Sequence, residues 1–571
     1  MTGIVLTLRL GLMAAAATLM AACGGDDDSG SPLIDQPVAA AAGATLASAD
    51  GRIGVSIPPG ALSADTRVRV ERRSGLPDPG GNLSAAGDAY DIRFDGGATL
   101  SQPMRLEMAA ASAPTHPQVG EAVMWVDGAW QRLDANFFRA SDRTVIALTR
   151  SAGTVRAAHR RLQATMGDAV ARGRGVFLYE TFGNENFFGG ALGLHELLNQ
   201  LTPAQAVAAG VQVDLAKVPP GIAAVLTGPD LAAKDAALQD PAVTRALLQA
   251  DAVVGVKALF GNAGSDRATA AGITCALCHV SVTPTSFQLS SGATALPIGP
   301  LRLDGVPNPA MNAGAILSLT PFAQAAGPGV VSLLQSWGPG RFDVRALPDN
   351  PLDDGVNNPT KVPPLWNFVD LSQQGYLYNW DGLFKNSAAT NALASQAEAV
   401  YDLVMHANGA FGTAGGTLAP ELRATPPQPV LDALAAAEAA QPGNDLTLRK
   451  LLDVQAWQRS ITSPAPGAFD AALAEQGFLL FNGKASCAGC HRSAEFTGPV
   501  VTARITLNPP QGGLVGGIKT PGLRGVARTA PYFHDGSART LREVLDVYAG
   551  RVTPALSDDE KNAVVEYLKS L

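Results

Sequence analysis

Two copies of the pattern Cys-x-x-Cys-His, at residues 275–279 and 487–491, constrain this chain more than any other feature. Thiols three residues apart face one side of a helical turn, so both can form thioether bonds to one porphyrin while the adjacent imidazole binds its iron. The predicted attachment residues and proximal ligands are Cys275, Cys278 and His279 in the first motif and Cys487, Cys490 and His491 in the second. The sequence therefore predicts two covalently bound haem c groups.

Zinc binding or a redox dithiol is the alternative interpretation of such short motifs. The chain has five cysteines, of which four lie in the motifs and the fifth is Cys23. No further cysteine can complete a separate four-thiolate zinc site or a disulfide. One zinc site built from both motifs would use all four thiols but would not explain the histidine after each pair. The cysteine count therefore favours haem.

The N-terminal segment predicts export. Residues 1–22 contain a weakly basic start and an apolar run too short to cross a bilayer, which is typical of a signal peptide. Met20-Ala-Ala-Cys23 resembles a bacterial lipobox, so Cys23 is the predicted lipidation site and residues 23–35 a polar tether. The alternative is an ordinary cleaved signal and a free protein. Both predict a periplasmic location, and lipidation adds an anchor in the membrane, expected to be the outer membrane.

Composition narrows the function classes. The 571 residues are 46% hydrophobic and 16% charged, which suits a globular protein with room for three domains. A net charge of -8 without a basic run argues against nucleic acid as a partner.

Residues 36–155 show apolar residues at every second position between Pro, Gly and Asp turns, which predicts an all-β sandwich. The segment Ile57-Pro-Pro-Gly-Ala-Leu62 resembles ZU5-like sandwiches of exported proteins. His116 and His159 are expected to face solvent rather than bind metal, and a spacing or partner-contact role is expected for the domain. The predicted strand segments are Arg52–Ile57, Thr66–Glu71, Ala89–Phe94, Met104–Met108 and Ala122–Val126.

The chain after residue 165 predicts two mainly α cytochrome c-type haem domains, over residues 165–465 and 466–571. Ala- and Leu-rich segments indicate helices before the first motif, and residues 388–460 are also expected to be helical. Residues 280–365 are rich in Gly and Pro and are expected to be mostly irregular. Helices are further predicted from Ala468 to Phe481 and from Ser557 to Leu571. The overall prediction is a multidomain fold.

The stretch Thr520–Tyr548, with Thr-Ala-Pro-Tyr-Phe-His-Asp-Gly at its centre, resembles the bacterial dihaem cytochrome c peroxidase and MauG superfamily. Residues 362–367 and 380–382 resemble it more weakly. This resemblance covers residues 165–571 and implies two haem domains packed face to face. It implies that hydrogen peroxide reacts at the N-terminal haem, that the C-terminal haem transfers electrons, and that Trp380 relays charge between them. A buried core aromatic is the alternative interpretation of Trp380.

The axial ligands distinguish the two haems. No histidine lies between His279 and His406, so the first iron is expected to keep an open sixth position, where peroxide or dioxygen can bind. Met311 is the alternative sixth ligand. At the second haem the resemblance brings Tyr548 to the axial position, as in MauG-like enzymes, and His534 is the competing ligand.

The resemblance also implies a Ca²⁺ ion between the haem domains, held by backbone oxygens and one asparagine. Thr529 and Pro531 match the carbonyl positions, but Val362 stands where the asparagine is expected, which argues against calcium. Asp381 and Glu185 are the candidate acid or base groups for moving the peroxide proton.

Residues 177–195 and 336–343 resemble a larger branch of the same superfamily that includes dihaem rubber oxygenases. That resemblance implies an apolar pocket lined by Trp337 and Phe342, although core packing explains these residues equally well. His195 is expected to be a core residue, and His406 is a weaker candidate for the distal side. The sequence thus favours a peroxidase-type oxidoreductase over a dioxygen-using oxygenase, and both over a plain electron-transfer cytochrome, with the redox protein or organic electron donor left open.

Overall fold

The structure is a computed structural model that describes twelve stretches of the chain. They are residues 31–163, 167–181, 184–261, 264–343, 359–367, 377–378, 384–385, 453–454, 456–498, 501–502, 518–550 and 552–571. Among the predicted functional residues, Cys23, Trp380, Asp381 and His406 lie outside these stretches, as does most of the predicted helical region 388–460.

The N-terminal region folds into two antiparallel sheets that share one core. Its strands are β1 (Ile34–Val38), β2 (Ala44–Ala47), β3 (Ile53–Ile57), β4 (Thr66–Arg73), β5 (Leu83–Phe94), β6 (Met104–Ala109), β7 (Gln118–Val126), β8 (Ala129–Arg132), β9 (Ala135–Arg139), β10 (Thr144–Thr149) and β11 (Gly153–Arg161). One sheet has the order β1-β4-β5-β11-β7-β8 and the other β2-β3-β6-β10-β9. The predicted β-rich N-terminal region is confirmed.

Alternation along the strands explains the two-sheet arrangement. In β4, Thr66, Val68 and Val70 are buried while the arginines between them are exposed. In β3, Ile53 and Val55 enter the same core from the opposite sheet. Because side chains on a strand point to alternate faces, each sheet contributes one apolar face to the shared core.

His159 contradicts the prediction of a solvent-facing side chain. It lies on β11, between β5 and β7, and is only 6% exposed. Its Nε2 lies 3.2 Å from the carbonyl oxygen of Ser112, which satisfies the buried ring. His116 is exposed, as predicted. The prediction failed at His159 because a central strand is covered on both faces.

The middle region is built from short helices and two-stranded ribbons. The helices are α1 (Asp168–Tyr179), α2 (Leu194–Leu198), α3 (Pro203–Ala208), α4 (Pro220–Thr227), α5 (Leu231–Gln239), α6 (Pro241–Gln249), α7 (Ala276–His279), α8 (Ala313–Leu317), α9 (Pro321–Ala326) and α10 (Pro328–Ser336), with a π-helical turn at Asn186–Ala191. The strands are β12 (Val213–Asp214), β13 (Val256–Phe260), β14 (Ala268–Ile273), β15 (Ser281–Val282), β16 (Thr285–Leu289), β17 (Gly292–Leu296), β18 (Ile298–Gly299), β19 (Leu301–Arg302), β20 (Arg341–Phe342), β21 (Thr360–Lys361), β22 (Leu377–Tyr378) and β23 (Phe384–Lys385).

In the described part of residues 280–365, the prediction of mostly irregular structure is wrong. The described part of this range contains the β16–β17 hairpin and helices α8 to α10. Side-chain caps that accept from backbone N–H groups start two of these helices, at Asn312 and Thr320. Pro321 and Pro328 then occupy first helical positions, where proline is well tolerated. Proline and glycine here mark helix ends rather than loops.

The C-terminal region contains α11 (Ala471–Asn482), α12 (Leu541–Tyr548) and α13 (Asp558–Lys569), with strands β24 (Val501–Thr502) and β25 (Ile518–Lys519). A Cβ atom at Gly477 would lie 2.0 Å from the carbonyl oxygen of Ala563, so α11 and α13 approach closely only because residue 477 is glycine. Ser557 and Glu560 form a capping box at the start of α13. The two helices predicted here are confirmed.

The N-terminal sheets pack directly against this C-terminal region. Phe137 and Ile146, on β9 and β10, share a hydrophobic cluster with Phe478 and Tyr567. The rings of Phe137 and Phe478 stack with centroids 5.7 Å apart. Within the described stretches no helix is both long and apolar enough to cross a membrane.

Candidate haem-binding sites

The first motif forms a single helical turn. Cys275 already has helical dihedral angles, and the backbone N–H of His279 donates to the carbonyl oxygen of Cys275 at 3.2 Å. The Thr274 hydroxyl donates to the Leu178 carbonyl oxygen at 3.1 Å, which ties the turn to helix α1. The backbone N–H of Asn308 donates to the Cys278 carbonyl oxygen at 2.8 Å. The two thiols are therefore presented from one anchored turn, as haem attachment requires.

Gly255 allows this turn to approach the neighbouring chain. Its φ is +76°, and a Cβ atom would lie 2.0 Å from the backbone nitrogen of Leu277. The Gly255 carbonyl oxygen accepts a 2.9 Å hydrogen bond from the backbone N–H of Thr274. A larger residue would displace the motif, since both the dihedral angle and the space favour glycine.

His279 is a neutral imidazole in this environment. Burial lowers its pKa to about 4, opposed by the nearby Pro363 carbonyl. Its buried Nδ1 makes no hydrogen bond of good geometry within the described residues. Burial also raises the pKa of Cys275 to about 11 and that of Cys278 to about 12. Two thiols and one imidazole on a single turn fit covalent haem attachment, in which the thiols bond to the porphyrin and the imidazole binds the iron.

The second motif also forms one turn, in 3-10 geometry over Cys487–Gly489. The N–H groups of Cys490 and His491 donate to the Cys487 carbonyl oxygen at 3.1 and 3.0 Å. His491 Nδ1 lies 2.7 Å from the Phe496 carbonyl oxygen, which can only accept, so Nδ1 carries the proton. The other ring nitrogen is left to bind iron, the usual arrangement of a ligating histidine.

Tyr548 lies close to the second motif, at the end of α12. Burial raises its pKa to about 12, and negative charge on Cys487 and Cys490 would raise it further. The ring stacks on Phe533 with centroids 6.2 Å apart and an interplanar angle of 5°. The fold thus brings the Tyr548 phenol close enough to Cys487 and Cys490 for charge on either thiol to act on it; its ligation of a haem iron stays a prediction.

His534 lies next to Phe533 but is held differently. It is 5% exposed, and its carbonyl oxygen accepts a 2.7 Å hydrogen bond from the backbone N–H of Lys361. Its Nδ1 has no hydrogen-bond partner within the described residues. Burial lowers the pKa of His534, opposed by Asp535. The backbone of His534 therefore joins the C-terminal region to residues 359–367.

Met311, the alternative sixth ligand, and the predicted pocket residues Trp337 and Phe342 lie in the core of the middle region. Met311 is 3% exposed and Trp337 is fully buried. Phe342 packs edge-on against Trp337, with ring centroids 5.3 Å apart. These contacts favour packing over pocket lining. His195, expected to be a core histidine, is half-buried on α2, and its Nδ1 lacks a partner in the described part of the chain.

Glu185 is positioned by the strand that leads to the first motif. Asn184 forms two hydrogen bonds with the backbone of Ile273, at 2.8 and 3.0 Å. The Thr181 hydroxyl donates to the Glu185 carboxylate at 2.5 Å. The candidate acid therefore lies beside β14, just before Cys275 in the chain.

Sequence reasoning missed Trp366, which connects the two regions. It is 6% exposed and belongs to the hydrophobic cluster that contains Ala276 of the first motif. Its indole N–H donates to the Arg524 carbonyl oxygen at 3.0 Å. Residues 362–367 carried a family resemblance, but nothing in the sequence indicated this contact.

A buried ion cluster, formed by Glu121, Arg132, Arg160, Glu495 and Arg524, was also missed. Glu121 on β7 accepts from Arg160 at 2.9 Å and from Arg524 at 2.9 Å, and Arg132 approaches it at 3.1 Å. Arg160 also pairs with Glu495 at 3.1 Å. Burial alone would raise the pKa of Glu121, but the three arginines lower it to about 2. This cluster joins the N-terminal sheets to the C-terminal region.

Part of the chain is similar to proteins of known activity. A 101-residue segment is 37% identical to the methylamine utilization protein MauG of Methylorubrum extorquens, covering 15% of this chain and 29% of that protein. A MauG of Methylophilus methylotrophus is 29% identical over 127 residues, covering 17% and 36% of the two chains. Cytochrome c551 peroxidase of Nitrosomonas europaea is 33% identical over 112 residues, covering 17% and 33%.

The similarity is to the MauG and dihaem cytochrome c peroxidase superfamily. The chain spans about a third of the length of these curated relatives. No model of a known protein family matches it. A solved MauG-like protein associated with microbial copper homeostasis is 23% identical, over 24% of this chain and 59% of that one, with a TM-score of 0.19. That score is too low to establish a common fold. The sequence similarity supports c-type haem as the cofactor.

Within the described stretches no three His, Cys, Asp or Glu side chains come together as a metal site. The donor sets of the two motifs nevertheless fit haem, because each places two thiols and one neutral histidine on a single turn.

Proposed function

We propose that this chain is a dihaem c-type oxidoreductase of the peroxidase type. Hydrogen peroxide would react at the haem of residues 275–279, and oxidising equivalents would be shared with the haem of residues 487–491. In the overall reaction peroxide takes up two electrons and two protons and yields two molecules of water. The electrons come from a redox protein or an organic donor. Bound haem supplies the iron that exchanges these electrons.

The proximity of Tyr548 to the second motif is the observation that carries this proposal. Tyr548, near the attachment cysteines, would supply a second protein ligand to the iron held there and would close that iron to small molecules. Met311, the alternative sixth ligand of the first haem, is buried in the same hydrophobic cluster as Leu277 of the first motif, so the open first iron rests on the sequence. In this proposal the two sites differ. The haem of residues 275–279 would be open to peroxide, and the haem of residues 487–491 would transfer electrons.

Tyr548 is favoured over His534 as the axial ligand. Tyr548 lies close enough to Cys487 and Cys490 for charge on them to affect its pKa, and the family resemblance brings Tyr548 to the ligand position. The backbone of His534 is bonded to Lys361, which suits a residue at an interface.

The chain's own groups have distinct roles in the proposal. His279 and His491 would bind the two irons through neutral imidazoles, and the Phe496 carbonyl fixes the orientation of His491. Glu185, held by Thr181, is a candidate to move the peroxide proton. Trp380 as charge relay and Asp381 as the alternative acid rest on sequence alone.

Electron paramagnetic resonance of the ferric, haem-loaded full chain tests the proposal. We expect one high-spin and one low-spin signal, and hydrogen peroxide should consume the high-spin signal. Two low-spin signals that peroxide leaves unchanged would identify an electron-transfer cytochrome. A high-spin signal inert to peroxide, with dioxygen consumed by the reduced protein in the presence of an unsaturated hydrocarbon, would identify an oxygenase.

The ligand assignment is tested by Tyr548→Phe with Tyr567→Phe as the matched control. Tyr567 is also buried in the C-terminal region, and its hydroxyl has no hydrogen-bond partner among the described residues. Tyr548→Phe should change the low-spin signal, while Tyr567→Phe should not. An unchanged signal in Tyr548→Phe, together with a changed one in His534→Gln, would assign the ligand to His534.

We also propose that the chain is exported to the periplasm and anchored through a lipid on Cys23, which rests on the sequence of residues 1–35. Cells fed a labelled fatty acid should incorporate the label into the wild-type protein but not into Cys23→Ser. A labelled Cys23→Ser protein would contradict this assignment.

A further inference from the structure

The Lys361 side chain is buried at the junction between the two haem-bearing regions. Lys361 is only 6% exposed, although lysine is rarely buried to this degree. It lies on β21, whose partner β20 belongs to the middle region. Its backbone N–H donates to the His534 carbonyl oxygen at 2.7 Å. The Lys361 backbone is therefore held by β20 on one side and by the His534 carbonyl on the other.

The Lys361 ammonium is bound by backbone carbonyl oxygens. Nζ donates to the carbonyl oxygen of Thr529, and to that of Pro531 at 2.6 Å. The ring centroid of Tyr532 lies 5.9 Å from Nζ, within the range of a cation–π contact. Burial lowers the pKa of Lys361 to about 8, which still leaves most of the side chain charged at neutral pH. The carbonyl dipoles and the aromatic face lie where they can stabilise that positive charge.

These two carbonyls are the ones that family resemblance assigned to a calcium ion. The sequence placed the missing asparagine at Val362, but its neighbour Lys361 is the residue that reaches the carbonyls. Calcium binds six to eight oxygens at short range, and an ammonium group in the same cage both occupies its ligands and repels it. The residues present therefore do not fit calcium.

We propose that the Lys361 ammonium is a built-in cation that replaces a metal ion between the two haem regions. It holds the loop 529–534 against residues 359–367. Pro363, two residues away, places its carbonyl near His279, while His534 follows directly in the bound loop. Lys361 thus acts as a positioning residue for both haem environments, and its charge is covalently attached rather than exchangeable.

Metal content of the haem-loaded, full-length wild-type protein is the first test. We expect no stoichiometric calcium by elemental analysis, and no change in the low-spin signal or in the unfolding temperature with EGTA or added CaCl₂. One calcium per chain, with a spectrum that EGTA alters, would overturn the proposal. This measurement needs haem attachment but not peroxidase activity. Its outcome is therefore independent of whether the proposed peroxidase function is correct.

Variants test the role of the charge. Lys361→Ala opens space beside the carbonyls and should shift the low-spin signal and lower the unfolding temperature, and methylammonium or Ca²⁺ ions should restore both. Lys361→Met fills the space without a charge, so it should show the same defects without rescue. The control Lys569→Asn, which removes a lysine from a surface ion pair, should behave as wild type. A Lys361→Met protein that matches wild type in signal and unfolding temperature would overturn the proposal.

Discussion

Glu121→Gln should cause one of the largest losses of stability available to a single polar substitution in this chain. Glu121 is 1% exposed and contacts the arginines at 132, 160 and 524. Glutamine keeps the size of the side chain but removes its charge. Glu495, which contacts Arg160 and Arg524, would then be the one carboxylate left among the five residues of the ion cluster.

The size of the loss follows from the pKa of Glu121. A carboxyl group with an ordinary pKa of 4.5 and a folded-state pKa of about 2 contributes on the order of 3 kcal/mol to the free energy of unfolding at neutral pH. Removal of one member of a buried ion pair costs about 3–5 kcal/mol in other proteins, which agrees in magnitude. We therefore expect a loss of about 3 kcal/mol.

The sign of the pH dependence is fixed because the folded-state pKa is the lower one. The contribution of Glu121 is fully present above its ordinary pKa of 4.5 and is lost as the pH falls towards about 2. The difference in stability between wild type and Glu121→Gln should therefore be constant near neutral pH and shrink below pH 4.5.

Urea unfolding of the haem-loaded protein, followed by circular dichroism at several pH values, measures this difference. The matched control is Asp88→Asn, which removes an exposed carboxylate that also contacts two arginines and should cost less than about 1 kcal/mol. Equal losses in the two variants, or a Glu121→Gln loss that grows as the pH falls below 4.5, would refute the reasoning.

Two packing predictions follow. Gly173→Ala should destabilise the chain by about 1–3 kcal/mol, because its Cβ atom would lie 1.8 Å from the Asp453 carbonyl oxygen. The control is Gly175→Ala on the same helix, where no atom lies within 4 Å of the added Cβ atom. It should be neutral or stabilise the chain by up to about 1 kcal/mol. Phe137→Ala should cost about 3–5 kcal/mol by emptying the contact between the sheets and α11, whereas Phe469→Ala, at a side chain 36% exposed, should cost much less. Thermal unfolding measures all four, and equal effects within either pair would contradict the packing argument.

Local patterns in the sequence predicted local structure well. Alternation placed Val68 and Val70 inside, and the cap at Ser557 marked the start of the last helix. Each Cys-x-x-Cys-His motif forms a turn because its hydrogen bonds lie within five residues. These features depend on neighbours in the chain, so the sequence alone contains the information.

Features that depend on distant pairing were not predictable in the same way. Glu121 and Arg524 are 403 residues apart in the chain and 2.9 Å apart in space, and each looks like an ordinary surface charge in sequence. Lys361 was overlooked because the comparison fell on Val362, whereas side-chain length brought the neighbouring residue to the carbonyls. The prediction that His159 faces solvent was wrong for a related reason, since the burial of a residue on a central strand depends on which strands flank that strand.

The ion cluster connects the N-terminal sheets to the proximal ligand of the second haem. Arg160, on β11, donates to the Ala494 carbonyl oxygen at 3.3 Å and pairs with Glu495, and Arg524 donates to the same carbonyl at 2.9 Å. The residue after Glu495 is Phe496, whose carbonyl oxygen accepts the hydrogen bond from His491 Nδ1–H that orients the imidazole. A movement of Arg160 would therefore shift the backbone of residues 494–496 and change the hydrogen bond that orients His491. The N-terminal sheets thus stabilise the position of this ligand, in addition to any role in spacing or partner contact. On this reasoning Glu121→Gln, which frees Arg160 from its main partner, should broaden the low-spin signal of the second haem and leave the high-spin signal of the first unchanged.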